Sequence, residues 1–422
     1  MQQPFRRHFL TLARLALGLT IAAGARAEDG AGAAPRVSPA LSMSGFGTVG
    51  LVHSSDTRAD FTSSVLKRNG AGASGRWSAD VDTRLGLQLD LALSKQWSAV
   101  LQVVSEQDLD NSYRPRVEWA NVKYQATPEL ALRVGRMALP MFLAAEYRKV
   151  GYVYPWVRPP VEGYGALPFT SGDGADANYR WTLGPLRNVS QLFYGHTDVA
   201  LAAPLRAYGR RITGLANTSD WGALSVRASL IDTEATTELG GQLFDALAAF
   251  GPAGAALART YAIDHKRLNV ASLGFSYDPG GWFAMAEASR TRTRSLLGAT
   301  RSVYASAGWR QGSLTPYLTW AHVHATCATT GPGLALDGLP PALAVQGAAL
   351  NQALAGMLAT IPQQRSSSAG LRWDLRTNMA VKLQYDRVTP QRGSRGTLIN
   401  QTPGFRSGRT THVASVALDF VY

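Results

Sequence analysis

Residues 79 to 93, ADVDTRLGLQLDLAL, alternate between apolar and polar side chains. Val81, Thr83, Leu85, Leu87, Leu89 and Leu91 fall on one side, and Asp80, Asp82, Arg84, Gly86, Gln88 and Asp90 on the other. A period of two puts successive side chains on opposite faces, which predicts a β-strand. Leu224, Val226, Ala228 and Leu230 likewise oppose Ser225, Arg227 and Ser229, and Ala369, Leu371, Trp373 and Leu375 oppose Ser368, Gly370, Arg372 and Asp374. Short connections (SKQ at 94–96, TPE at 127–129, GPLR at 184–187, SDWG at 219–222, DPGG at 278–281, QGS at 311–313, RTN at 376–378) alternate with longer, irregular ones. Counting from Leu41 to Tyr422 gives sixteen segments, seven short turns and eight longer loops, although 190–195 and 314–324 show no clean register. An even number of strands brings both ends to the same side.

Segments of about ten residues have the length a tilted strand needs to cross a bilayer. In a membrane barrel the outer solvent is lipid and the inner one water, so strands alternate apolar-out and polar-in. Closure pairs the backbone groups that hydrocarbon cannot satisfy. No run of 18 apolar residues follows the first thirty, which argues against helical spans. The chain ends HVASVALDFVY, with Val416, Leu418, Phe420 and Tyr422 on one face and the last aromatic at the periplasmic edge, where aromatic girdles sit. The expected fold is all-β: a 16-stranded antiparallel transmembrane β-barrel over 41–422, preceded by a short periplasmic segment at 28–40.

The N-terminus reads as an export signal. Arg6 and Arg7 precede an apolar stretch from Phe9 to Ala23, and ARA ends at Ala27 as a small-x-small cleavage site. Cleavage there removes Arg6, Arg7, Arg14 and Arg26 and lowers the formal charge from +13 to about +9. With the barrel, this predicts the bacterial outer membrane. The single Cys327 closes no intramolecular disulfide.

Residues 133–142, RVGRMALPMF, resemble the R-x-G-R-x-x-x-P-x-F junction of trimeric Gram-negative porins, particularly the phosphate- and dicarboxylate-selective ones. There strand five runs into an inward-folded third loop. SGFGTVGL at 44–51 resembles their first strand and DFVY their ending, which the barrel-assembly machinery reads. The resemblance implies a homotrimeric diffusion channel with an inward-folded third loop. The chain lacks the dense lysine cluster expected for strong phosphate selectivity, which speaks against that solute.

The connection at 138–176 is the candidate constriction. EYRKVGYVYPWVRPPVEGYG is rich in aromatics and prolines, which reduce the entropy lost on fixing a loop, and carries Glu146, Arg148, Lys149, Arg158 and Glu162. Folded inward, it sets opposite charges across the bore. The other reading is a solvated extracellular loop. Leu132 and Val134 face lipid, so Arg133 points to the lumen, and the same alternation turns Arg84, Arg227, Arg372 and Lys382 inward. The wall also supplies Asp80, Asp82, Asp90, Glu118, Glu287, Asp374 and Asp386. Arginine near the loop root and a cationic mature chain predict a weak to moderate anion preference.

In ASRTRTRS, Arg290, Arg292 and Arg294 share the face of Trp282, Ala284, Ala286 and Ala288, opposite Glu287. A mid-membrane glutamate points at water, so these arginines point outward. By Arg290 the strand has climbed roughly 20 Å and is leaving an apolar band of about 25 Å, where lipopolysaccharide phosphates or a subunit neighbour await it. Loops 234–265 and 325–364 carry alanine- and leucine-rich stretches that suit short helices, either capping the mouth or mobile. GAGASG at 70–75 matches a nucleotide-binding spacing, but no strand leads in and no helix follows. His322 and His324 have ligand spacing without an evident third ligand. Export and the absence of a recognition fold argue against nucleic acid despite the basic charge.

Three readings follow. The first is a channel for small hydrophilic solutes, anionic or neutral, with no cofactor and no catalytic residue. The second is a barrel enzyme such as a lipid hydrolase, which needs an outward Ser–His pair near one membrane edge. The third is a plugged structural or adhesive barrel.

Overall fold

A computed structural model describes residues 40–165 and 169–422. The expected leader at 1–27 and all of 28–39 lie outside the described residues. Sixteen long strands form one antiparallel sheet: β1 Ala40–Ser54, β2 Arg84–Ala92, β3 Trp97–Glu106, β4 Arg116–Gln125, β5 Leu130–Ala138, β6 Ser171–Leu183, β7 Leu186–Ala200, β8 Arg206–Trp221, β9 Leu224–Thr237, β10 Lys266–Tyr277, β11 Trp282–Arg292, β12 Thr300–Trp309, β13 Leu314–Ala325, β14 Gln364–Arg376, β15 Met379–Pro390 and β16 Thr411–Val421. β1 pairs with β16, Val49 opposite Leu418, and this closes the barrel. A two-residue strand, Trp77–Ser78, pairs with β1 beyond the end of β2.

Seven short turns lie at one end and eight longer connections at the other, here numbered L1 (55–83), L2 (107–115), L3 (139–170), L4 (201–205), L5 (238–265), L6 (293–299), L7 (326–363) and L8 (391–410). The turns at 184–185 and 222–223 are tight two-residue hairpins with Gly184 and Gly222 at positive φ, as such turns demand. At the short-turn end, Trp97, Trp221, Trp282, Trp309 and Tyr422 stand outward, Trp309 being 70% exposed. Such a ring marks a membrane–water boundary. Above it the outer face carries Leu132, Val134, Leu192, Leu215, Leu230, Leu273, Leu318 and Leu383, all exposed, whereas the facing positions point into the barrel.

Two details differ from the sequence reading. The strand drawn over 79–93 begins only at Arg84; Asp80, Val81 and Asp82 belong to L1. Val81 is buried there, Asp80 accepts from the Tyr113 hydroxyl at 2.7 Å, and Asp82 turns inward to hold an arginine of L3. Segments 190–195 and 314–324 do alternate in space, as β7 and β13. Their inward rows mix buried Phe193, Tyr317, Ala321 and Val323 with Gln191, Thr315 and Thr319, because part of the interior is packed rather than wet, and so the binary pattern blurs.

Candidate functional site

The site begins where the 133–142 motif leaves the wall. Gly135 has φ +127°, and a Cβ there would stand 2.3 Å from the Ala120 carbonyl oxygen, so only glycine fits. Arg133 points inward and donates to Asp176 of β6 at 2.9 and 2.5 Å, with Glu146 at 3.6 Å. Arg136 pairs with Asp173 at 2.9 and 2.6 Å. The chain then turns through Pro140 and the buried Phe142, whose φ is +62°.

From there L3 bonds to strands on the far side. Glu287 of β11 accepts from the Leu143 amide at 2.8 Å and the Tyr164 hydroxyl at 2.5 Å. The Trp156 indole donates to Ser306 of β12 at 2.8 Å, and the Val157 amide to Gln384 of β15 at 3.0 Å. Tyr152 donates to the Thr377 carbonyl at 2.5 Å. A connection between β5 and β6 that reaches β11, β12 and β15 runs through the interior.

Buried cations fasten it there. Arg158, 3% exposed, donates to both oxygens of Asp82 at 2.9 and 2.6 Å, to Asp386 at 3.2 Å and to Ser415 at 2.6 Å, and lies 5.0 Å over the Phe61 ring. Arg372 of β14 donates to the Tyr152 and Tyr154 carbonyls at 2.5 and 2.8 Å and to Asp374 at 2.8 Å. Lys382 of β15, wholly buried, donates to the Gly151 and Trp156 carbonyls at 2.7 and 2.8 Å and pairs with Asp419 of β16 at 2.7 Å. A Cβ on Gly151 would meet Asp419 Oδ1 at 2.3 Å and Thr48 Oγ1 at 2.5 Å, so a glycine is required for this approach. Glu162, buried in the short helix α1 Val161–Tyr164, accepts from Gln364 at 2.8 Å. Burial pushes its carboxyl above the usual range.

The interior has two characters. Towards β7–β13 it is apolar: Phe142, Leu143, Tyr154, Trp156 and Tyr164 of L3 pack in one cluster with Phe193, Ile212, Ile231, Met285, Tyr304 and Tyr317 of the wall. The same cluster continues into α2 Gly241–Ala248 and α3 Gly251–Tyr261 of L5 and α4 Pro341–Leu358 of L7, through Phe244, Leu247, Ala258, Leu354 and Leu358. The two alanine- and leucine-rich stretches are therefore helices packed at the mouth.

Towards β2–β6 the interior is charged. Lys149 of L3 pairs with Glu106 at the end of β3, and Arg84 stands 3.9 Å from the same carboxylate. Arg148 donates to the Tyr164 carbonyl and lies 5.6 Å over its ring. Lys67 of L1 lies beside Glu106, Arg84, Lys149 and Asp82, 4% exposed, and its ammonium has no hydrogen-bond partner among the described residues. Burial pushes Lys67 down to about 8, partly opposed by Glu106.

All nine residues proposed from sequence for the lumen face inward or lie on L3, in two groups. Arg158, Glu162, Arg372 and Lys382 are buried fasteners of the loop. Arg84, Arg133, Glu146, Arg148 and Lys149 lie on the charged side, only partly buried. Sequence reasoning missed Lys67, Glu106, Asp176 and Asp419. Alternation in SVALDFVY singles out Asp419 as inward, but Lys67 sits in an aperiodic loop with no such signal. On the outer wall, Arg290 and Arg292 share the lipid-facing row of Trp282; Arg294 does not, because β11 ends at Arg292 and Arg294 stands in L6. His322 and His324 also face outward on β13, their rings stacked 5.2 Å apart.

No family model and no curated protein matches the sequence. Solved structures match its fold. The anion-selective porin of Comamonas acidovorans aligns over 91% of this chain and 100% of its own, with a TM-score of 0.53 and 13% identity. Its fold is that of the outer-membrane porins. OmpF of Salmonella typhi, in complex with daunomycin, covers 90% of this chain and 97% of its own (TM-score 0.53, 13% identity). The outer-membrane channel DcaP of Acinetobacter baumannii covers 93% and 100% (TM-score 0.51, 12% identity). At such identities the porin fold is what is shared.

Proposed function

We propose that this chain forms a channel in the outer membrane of a Gram-negative bacterium, through which small hydrophilic solutes diffuse, with a weak to moderate preference for organic anions. The observation that carries the proposal is L3, drawn across the interior and fastened to the wall by Arg158, Arg372 and Lys382. Rigid fastening is what a selective constriction requires, since a drifting loop sets no field. In this reading 138–176 is the constriction, narrowed from the apolar side so that solutes pass the charged side. Lys67, Arg84, Lys123, Arg133, Arg148 and Lys149 share this side with Asp90, Glu106, Glu118, Glu146 and Asp176, a slight cationic excess that favours anions.

The signal at 1–27 directs export, and the C-terminal strand ending in Tyr422 engages the barrel-assembly machinery. The 133–142 motif supports a homotrimer. The neighbours named as an anion-selective porin and an outer-membrane channel support the same class of activity. Liposome swelling with succinate, benzoate, phosphate and sugars tests it: the expected order puts small carboxylates ahead of sugars of similar size. Equal exclusion of every solute contradicts the reading.

A further inference from the structure

The outer wall carries a feature the channel does not use. Across β8 to β13 a groove of about 650 Å³ is cut into the lipid-facing surface. Ala228, Ala271 and Ala288 form its shallow floor, and the exposed Leu215, Leu230, Leu273 and Val303 stand beside them. At one end of this lining stand Arg290, Arg301 and His324.

Strand register explains the cluster. Arg290 of β11 lies directly opposite Arg301 of β12, and Arg301 directly opposite His324 of β13, so three basic side chains occupy one row of the outer face. Arg292 follows two residues beyond Arg290 on the same face. Like charges placed directly across a strand pair repel. No ion pair relieves them among the described residues, and the Nε of Arg290 is buried without a hydrogen-bond partner. Asp232 of β9, whose register partner Asn269 lies opposite Arg292, is already held by Arg267 at 2.7 Å and by Asn269.

Height on the wall decides what could relieve the repulsion. β11 rises from the short turn at 278–281, and Arg290 is eight residues above the girdle residue Trp282. That is roughly 20 Å along the membrane normal, at the far edge of an apolar band of about 25 Å. The arginines are thus level with the headgroups of the outer leaflet, and the rest of the groove is level with acyl chains.

We propose that this groove seats one phosphorylated lipid of the outer leaflet, a lipid A type molecule, with a phosphate between Arg290 and Arg301 and an acyl chain over Ala228, Ala271 and Ala288. Guanidinium groups match phosphate oxygens in a bidentate geometry, and an acyl chain fills an apolar trough that no side chain fills. The inference rests on the membrane orientation of the barrel but not on its conducting solute.

Native mass spectrometry of the folded, detergent-solubilised protein titrated with purified lipid A tests it. The wild type is expected to hold one lipid A at least tenfold more tightly than Arg290→Gln/Arg301→Gln. It should hold phosphatidylcholine no better than that variant does. Ala271→Phe/Ala288→Phe, which fills the trough and keeps both arginines, should lose lipid A to a similar degree. Heat-modifiable gel mobility reports that both variants fold. Equal retention by wild type and both folded variants overturns the proposal. So does loss of binding in the arginine variant only, matched by competition from inorganic phosphate, or a groove occupied by a second copy of the chain. Single-channel conductance separates this from the channel reading: a silent wild type that still holds lipid A refutes the channel alone, and the arginine variant should conduct normally.

Discussion

Arg158 is a single side chain that ties four segments together. It joins L1, L3, β15 and β16 by satisfying Asp82, Asp386 and Ser415 at once while buried. Breaking a buried pair strands the remaining charges, at a cost of roughly 3–5 kcal/mol. Arg158→Met should therefore lower the thermal unfolding midpoint in detergent, and Asp82→Asn/Asp386→Asn added to it should recover part of the loss. An unchanged midpoint in Arg158→Met would show that L3 is held by its apolar contacts instead. Lys67 carries a second prediction. Its ammonium, held down to about 8, is charged below that value and neutral above it. Anion preference should thus decline as pH rises from about 7 to about 9, and Lys67→Met should flatten that change. Reversal potentials across a salt gradient read both. Arg133, Arg84 and Lys382 could be placed inward from alternation alone, but what each does could not. Whether a lysine meets water or three buried acceptors depends on a loop more than two hundred residues away, and no local pattern encodes that.

Elements show why some strands were readable and others not. Where the interior is charged, as along β2, one face is apolar and the other polar, and the alternation is plain. Where L3 packs against the wall, the inward faces of β7 and β13 mix Phe193, Tyr317 and Val323 with Gln191, Thr315 and Thr319, and the period-two signal blurs although the strand does not. The helices of L5 and L7 were visible as stretches rich in alanine and leucine. Their placement followed only from Phe244, Leu247, Leu354 and Leu358 entering the same cluster as L3. This makes α4 a cap rather than part of the wall. Replacing 341–358 by a short Gly/Ser linker should leave heat-modifiable mobility intact and raise unitary conductance. A barrel that fails to fold, or conductance that is unchanged, contradicts that assignment.

The whole molecule is a closed cylinder whose outside and inside obey different solvents. Its girdle of Trp97, Trp221, Trp282, Trp309 and Tyr422 fixes one membrane boundary, and the basic row of Arg290, Arg301 and His324 lies near the other. Both positions could be argued from spacing, because turn lengths alternate and the strand rise is constant. Closure of β1 on β16 and the path of L3 across the bore are long-range facts that a linear pattern only suggests. A channel needs an open, water-filled path beside the fastened loop. Single-channel recording of the purified protein in a planar bilayer tests it most directly: discrete, ohmic conductance steps are expected, with a reversal potential of the sign for anions. Repeated insertion without steps would mean that L3 and the mouth helices seal the barrel, which contradicts a diffusion channel.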